Sequence, residues 1–298
     1  MGQKTVLLIG GSGFVGASVI ECLAQRGVRV VAPTRRKPPR QAAPTLDWIE
    51  TDVNADGVLA SLMPGVDAVI NLVGILHDRD GSAPFGRRFR AAHVDLPRAI
   101  AAAMRVAGVR RLIHVSALRA MDAAPSAYLR SKAAGEAVLR AAEGIDVTVF
   151  RPSVIFGAGD AFLNLFAQLL RVFPVLPLAG ASARFQPVFV GDVARVLVDA
   201  LDRPETVGQV YELGGPGVYT LGALVEYVAA CRGVRRLIVP LPMPVAYLQA
   251  ALLGCLPQPP MTIDNLRSMT LDNVCDGRHD YPDWRPAALE AVVPAYLS

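Results

Sequence analysis

The chain has 298 residues, 52% apolar and 19% charged, with 26 Gly and 23 Pro scattered without period. That composition excludes a disordered, collagen-like or low-complexity protein and is ample for a buried core. Thirty basic against twenty-six acidic residues leave a net charge of +4, too small and too dispersed to indicate a nucleic-acid partner.

Over the first 150 residues, short apolar runs alternate with helical patterns. The runs are Thr5–Ile9, Val28–Ala32, Ala68–Leu72, Leu112–Val115 and Val147–Phe150, and the helical patterns include Val15–Arg26, Arg87–Ala107 and Tyr128–Ala142. Strands apolar on both faces, separated by amphipathic helices, predict an α/β fold with a doubly wound parallel sheet. After Arg151-Pro152 the alternation loosens. A helix is expected at Ala161–Val172, a strand edge leading into a helix over Gln186–Leu201, a short strand at Tyr211–Leu213, and a helix cap at Thr220. The expected division is a dinucleotide-binding domain over residues 1–152 and a smaller substrate-binding lobe over 153–298, with about 186–215 returning to the sheet.

Leu237–Leu256 carries no charge and follows Arg232, Arg235 and Arg236. Its twenty residues are long enough for a membrane span, but Pro240, Pro242 and Pro244 interrupt the first half. Val245–Leu256 covers only about 18 Å as a helix, against a hydrocarbon core of about 30 Å. A buried strand, a Pro-rich loop and a short apolar helix are expected, with at most peripheral membrane contact through the arginines. Cys22, Cys231, Cys255 and Cys275 lie far apart without metal-ligand spacing, and no signal peptide is expected, since Lys4 is followed by only five apolar residues before the glycines. A reducing cytoplasm is the expected setting, with no metal.

The first strand runs into Gly10-Gly11-Ser12-Gly13-Phe14-Val15-Gly16, a G-x-x-G-x-x-G turn opening a helix. Such glycines permit the tight turn, the approach of a pyrophosphate to backbone N–H groups, and close helix–strand packing. The second strand ends in Pro33-Thr34-Arg35-Arg36-Lys37, without the acid that binds a ribose 2′-hydroxyl. Arg35 and Arg36 suit a 2′-phosphate instead, which favours NADP(H), with NAD(H) as the alternative. Asp52-Val53 would flank the adenine, and Leu72-Val73-Gly74 would let the cofactor pass.

Ser116 closes the fifth strand, just after Val115, and Tyr128-x-x-x-Lys132 follows. A four-residue spacing puts Tyr128 and Lys132 on one helical face. A nearby ammonium and the positive ring of an oxidised cofactor would lower the phenol from its usual value near 10. Tyr128 would then move a proton, and Ser116 would bond the reacting oxygen. His114 is expected to be packed, His77 to lie in a loop, and Phe162, Phe166 and Phe173 to be core; Arg184 and Gln186 are candidates for substrate contact.

The glycine loop, Ser116, Tyr128/Lys132 and Arg151-Pro152-Ser153 resemble, in that order and over nearly the whole length, the short-chain dehydrogenase/reductase superfamily. The G-x-x-G-x-x-G form and the long C-terminal lobe look like its extended or atypical branch, which includes NAD-dependent epimerases and dehydratases. His114–Leu118, Tyr128–Glu136, Arg151–Gly157 and Gln186–Val193 are more closely similar to the subfamily of the NADPH-binding accessory subunit of respiratory complex I. The resemblance implies Gly10, Gly13 and Gly16 at the pyrophosphate and Arg35 and Arg36 at the 2′-phosphate. It implies Tyr128 and Lys132 on the nicotinamide ribose, with Pro152 and Ser153 bordering the nicotinamide, and Val115 and Val154 are further cofactor-binding candidates. Many extended members carry Asn on the fourth helix, where this chain has Ala92-His93-Val94, which leaves the expected relay water without its anchor. Two functions follow: an oxidoreductase for a small apolar carbonyl or alcohol, or an NADPH-binding assembly or sensor protein without turnover, in contact with a respiratory complex. A sugar-nucleotide epimerase is disfavoured, because the apolar C-terminal lobe offers no second basic phosphate site.

Overall fold

A computed structural model describes residues 3–36, 44–257 and 259–297; Lys37 lies outside the described residues. The N-terminal half contains β1 (Thr5–Ile9), α1 (Phe14–Gln25), β2 (Arg29–Thr34), β3 (Leu46–Glu50), α2 (Val58–Leu62), β4 (Ala68–Asn71) and α3 (Arg87–Arg90). It continues through α4 (Leu96–Ala107), β5 (Arg111–Val115), α5 (Ala127–Arg140) and β6 (Asp146–Pro152). The second half holds β7 (Ile155–Phe156), α6 (Leu163–Val172), β8 (Val175–Leu178), β9 (Arg184–Phe185), β10 (Val188–Phe189) and α7 (Val190–Asp199). β11 (Val210–Leu213), β12 (Tyr219–Thr220), α8 (Leu221–Cys231), β13 (Leu237–Pro240), α9 (Met243–Gly254) and α10 (Ile263–Ser268) follow.

Seven strands form one parallel sheet in the order β11-β6-β5-β4-β1-β2-β3. In β1, Val6 and Leu8 enter one core and Leu7 and Ile9 the other. Both faces are covered, which is why the strand reads as an unbroken apolar run. Strand order reverses between β1 and β4, so the loops after these two strands flank a crevice at their C-terminal ends. β3 is a half-exposed edge strand, so its sequence, LDWIE, contains no such run.

The helical pattern Arg87–Ala107 is not one regular helix. A π-helical turn at Ala91–Asp95 separates α3 from α4, and Pro97 in the first turn of α4 fits where no intrahelical N–H is needed. Gly135 of α5 lies against this turn, and a Cβ there would collide with the His93 carbonyl oxygen.

Chain from the second half returns to the sheet. α7 packs on α1, and β11 pairs with the edge strand β6. Tyr281 is buried beside Phe150 and Tyr211, and Trp284 Nε1 donates to the Gly214 carbonyl. The remainder builds its own core from Phe156, Leu163, Phe166, Leu170, Leu224 and Val225. Thr220 Oγ1 caps α8 by accepting from Ala223 N–H at 3.1 Å.

Three expectations for this half are corrected. Phe173 is 49% exposed, because the chain leaves α6 at that residue. β13 is not buried: it pairs only with β8 in a two-stranded ribbon, which leaves Leu237, Val239 and Pro240 exposed. α9 begins at Met243, ahead of Pro244, whose ring is accommodated in the first turn. Among the described residues, no helix is long and apolar enough to cross a membrane.

Candidate active site

The loop after β1 closes when Gly13 N–H donates to the Gly10 carbonyl at 3.1 Å. Its three glycines do different work. Gly10 has φ +89°, and a Cβ there would press on the Leu72 backbone at 3.2 Å. A Cβ on Gly16 would collide with the carbonyl oxygens of Gly10 and Gly11, whereas one on Gly13 would meet only the Gly10 oxygen, at 3.3 Å. Gly13 therefore keeps the space above the loop clear. It is also the N-cap of α1 and brings no side-chain acceptor. The leading N–H groups of Phe14, Val15 and Gly16 lack intrahelical partners, while Ser12 is exposed on the turn. This cradle fits a pyrophosphate.

At the adjoining strand end Arg35 and Arg36 are exposed, and Arg36 N–H bonds the Thr34 hydroxyl. Asp52 accepts from the backbone and side-chain nitrogens of Asn54 at 3.0 and 2.8 Å. The Asn54 N–H bond above all, with a smaller contribution from the Arg35 charge, holds its carboxyl below the usual range. Val53 is half-buried against the core cluster that Val31 also meets. Past β4, Leu72 N–H donates to the Ile9 carbonyl and Val73 N–H to Asn71 Oδ1. Gly74 faces the crevice, and a Cβ there would stand 3.7 Å from Lys132 Nζ and 3.9 Å from His93 Nε2.

The helix carrying Tyr128 and Lys132 is anchored at its start by two acceptors. Ser126 Oγ accepts from Leu129 N–H at 3.2 Å, and the Asp264 carboxylate of α10 accepts from Ala127 and Tyr128 N–H at 2.7 and 3.0 Å. One turn along, the buried Lys132 donates to the Val115 carbonyl at 2.8 Å. Burial lowers its ammonium to about 8, partly offset by Glu136. Glu136 is itself held by Arg151, with contacts at 2.6 to 3.2 Å.

Burial pushes the Tyr128 hydroxyl up to about 12. The expected depression by Lys132 is not realised here, because the ammonium is turned to the strand carbonyl and desolvation of the phenolate dominates. Ser116 Oγ is buried and, among the described residues, has no hydrogen-bond partner. An orphaned buried hydroxyl costs about 1–3 kcal/mol, a cost that a ligand oxygen brought to it would relieve.

His93 lies at the centre of the site, on the π turn. Its Nε2 accepts from Ile75 N–H at 3.0 Å, so Nδ1 carries the proton and donates to Ser131 Oγ at 2.7 Å. Ser131 in turn donates to the Tyr128 carbonyl at 2.7 Å. The ring stacks on Phe89 and meets Tyr128 edge-on, with centroids at 5.4 and 5.7 Å. Burial, reinforced by the Lys132 charge, lowers its pKa to about 2, so it is a neutral strut between the loop after β4 and the Tyr128 helix.

Other residues marked in the sequence serve as scaffolding. Ser153 Oγ donates to Asn273 Oδ1 at 2.6 Å, Val154 N–H donates to the same oxygen at 3.1 Å, and Pro152 is buried at the end of β6. The Gln186 side chain is spent on the Gly215 carbonyl and Cys275 N–H, and Arg184 pairs with Asp272 at 3.3 Å. Both hold the returning segment in this structure. His77 is half-buried against Asn265, and His114 is packed against Asn71. The Asp264 and Asn273 anchors have no signature in the sequence beyond the Thr262/Asn265 capping box of α10.

Beside the site lies a cleft of about 780 Å³, bounded by Phe89, Ala127 and Arg130 on one side and by Ala250, Gly254 and Asp264 on the other. Ser116, Tyr128 and Lys132 are not part of its wall. The Phe89 ring, at its edge, stands 6.1 Å from the Tyr128 ring.

Comparison with known proteins places these features in a lineage. A family profile described as "NAD dependent epimerase/dehydratase family" matches residues 6–214. The chain is 34% identical over 247 residues to "NADH dehydrogenase [ubiquinone] 1 alpha subcomplex subunit 9, mitochondrial" of Mus musculus, covering 80% of this chain and 63% of the relative. It thus spans less than two thirds of that protein. It is 31% identical over 247 residues to a ceramide reductase of Caulobacter vibrioides, covering 81% and 75% of the two chains. In fold it is similar to UDP-glucuronic acid 4-epimerase from Bacillus cereus, solved with UDP-glucuronic acid and NAD, with a TM-score of 0.67, 18% identity, and 80% and 86% of the two chains covered. The chain belongs to the NAD-dependent epimerase/dehydratase family, within the extended short-chain dehydrogenase/reductases.

Proposed function

We propose that this protein is an NADP(H)-dependent oxidoreductase acting on a carbonyl or alcohol carried by an apolar molecule. The observation that carries this reading is the buried, unpartnered Ser116 hydroxyl, at the strand end whose Val115 carbonyl holds Lys132. NADPH, when bound, would supply the hydride for the carbonyl carbon, and the chain's own side chains the proton. Ser116 Oγ donates to the carbonyl oxygen and orients it. Tyr128 gives its proton to that oxygen as the alcohol forms and takes one back in the reverse direction. Lys132, released from Val115 toward the nicotinamide ribose, stabilises the tyrosinate. Gly10, Ser12, Gly13, Phe14, Val15 and Gly16 hold the pyrophosphate, and Arg35 and Arg36 hold the 2′-phosphate. Residues 153–298 mainly supply the substrate side. The similarity to a protein named as a ceramide reductase supports an apolar substrate.

A second reading is a nucleotide-binding assembly or sensor protein in contact with a respiratory complex. It is favoured by the engagement of Lys132 with Val115, by the raised Tyr128 hydroxyl, and by the relatives named as NADH dehydrogenase subunits.

Fluorescence titration with NADPH and NADH, followed by turnover assays with long-chain ketones and alcohols, tests the first reading. A charge-assisted contact to phosphate is worth about 1.5–3 kcal/mol, so NADPH should bind roughly 10- to 100-fold more tightly than NADH. That margin should vanish in Arg35→Ser/Arg36→Ser. Tyr128→Phe should lower turnover by about 10²–10⁴ with nucleotide affinity kept. Tight NADPH binding with no turnover of any carbonyl would select the second reading.

A further inference from the structure

We propose that the β8–β13 ribbon and α9 form a docking face for the surface of an anionic lipid bilayer. Among the described residues, eleven of the sixteen exposed large hydrophobic side chains fall in the stretches 172–175 and 237–263. The arrangement on α9 is inverted relative to a helix that faces water. Its small residues Ala246 and Ala250 are 0% exposed, packed near Ala179 and Leu266, while Leu248 and Leu252 are 62% and 66% exposed. On the ribbon, the register pairs Leu237 with Val175 and Val239 with Pro177, and all four are exposed, so its outer face is wholly apolar. Gln249 joins the two elements by donating to the Pro177 carbonyl at 3.2 Å. An uncovered apolar surface of this kind marks an interaction site.

The charge pattern selects the occupant. No acidic residue occurs between Glu226 and Asp264, and Arg232, Arg235 and Arg236 precede the ribbon. Arg232 and Arg235 are exposed, and Arg236 is fixed by its bond to the Leu170 carbonyl at 2.7 Å. Arg232 shares a surface depression with Arg171 and Val172 at the end of α6. Apolar side chains bordered by arginines, with no carboxylate within residues 227–263 and with Asp78, Asp80 and Asp264 confined to the adjoining cleft, match acyl chains below anionic head groups. α9 has twelve residues, about 18 Å of helix, so it lies on the bilayer and does not cross it.

The face adjoins the cleft. Ala250, Ala251 and Gly254 of α9, with Cys255 just after it, line the cleft opposite Ala127 and Arg130 of α5. A substrate drawn from the bilayer would therefore enter next to Tyr128, which makes an amphiphile with its carbonyl or hydroxyl near the polar end the fitting class. That last step rests on the oxidoreductase reading, whereas the docking face stands without it.

Flotation of the full chain with phosphatidylcholine vesicles, with and without about a third phosphatidylglycerol, tests the proposal. The expected result is a bound fraction at least fivefold higher on anionic vesicles. High salt should reduce it without abolishing it, because only the ionic part is screened, and alkaline carbonate should release the protein. Leu248→Glu/Leu252→Glu, at exposed positions, should lower binding at least tenfold with unchanged melting temperature and NADPH affinity. Absence of flotation, binding indifferent to the double variant, or binding that survives alkaline carbonate would each overturn the proposal. So would a stable dimer that this variant dissolves, since the face would then be covered by a second copy. NADPH titration of the same samples separates a failure of docking from a failure of the nucleotide reading. Turnover of a long-chain ketone in vesicles, compared with its turnover in detergent, tests the substrate step separately.

Discussion

Lys132 is held charged inside the protein at a measurable cost, which Lys132→Met should reveal. Burial lowers the ammonium from 10.5 to about 8. At about 1.36 kcal/mol per pK unit this corresponds to roughly 3 kcal/mol. The native lysine has the depressed value, so between about pH 8 and 10.5 the unfolded chain binds more protons than the folded one, and stability rises with pH across that window. Below pH 8 both states are charged and the full penalty applies. Methionine keeps the stem and removes the charge. It also strips the Val115 carbonyl of its donor, a loss of about 1 kcal/mol, while Glu136 stays neutralised by Arg151. The net expectation at pH 7 is a variant about 2 kcal/mol more stable than the parent, with a melting temperature higher by about 4 °C. Scanning calorimetry of both proteins from pH 6.5 to 10.5 should show the gap shrinking above pH 8. A less stable variant at pH 7, or a gap indifferent to pH, would refute the reasoning. On the proposed reading, in which Lys132 meets the nicotinamide ribose, nucleotide binding should weaken in the same variant.

The glycine loop offers a paired test: Gly16→Ala should lose about 1–3 kcal/mol of stability through overpacking along with nucleotide binding, whereas Gly13→Ala should melt close to the parent and lose NADPH affinity at least tenfold by fluorescence titration. Arg151→Met would leave the buried Glu136 carboxylate without its partner, so denaturant unfolding should show a loss of about 3–5 kcal/mol, most of it recovered in Arg151→Met/Glu136→Leu. His93 and His114 are both held neutral by burial, His93 down to about 2. As pH falls below 6.5 only the unfolded chain gains those protons, and stability should drop by about 1.4 kcal/mol per pH unit for each histidine. His77 is lowered by burial as well, so His93→Asn should reduce the slope by about a third to a half between pH 6.5 and 5, and an unchanged slope would show that His93 already titrates in the folded chain.

Local pattern determined the sheet, the loop and the caps. The run Val6-Leu7-Leu8-Ile9 demanded cover on both faces, and the structure provides it. The first glycine of the turn has the positive φ that its place between strand and helix required, and Thr220 caps the helix it precedes. These follow from periodicity and backbone sterics, which act over a few residues and are therefore written in adjacent letters. What only the tertiary structure decided depends on partners far along the chain. Lys132 turns to Val115, His93 is tied to Ser131, and Asp264 anchors the helix of Tyr128 across more than a hundred residues. The stretch 272–284 has no apolar run to announce it, yet Tyr281 enters the main core and Asn273 receives Ser153. Likewise Leu237–Leu256 is legibly apolar, but composition records hydrophobicity without direction. Only the packing of Ala246 and Ala250 inward turned Leu248 and Leu252 out. Hydrogen bonds and desolvation depend on which distant groups the fold brings within about 3 Å, and no spacing along the sequence encodes that distance.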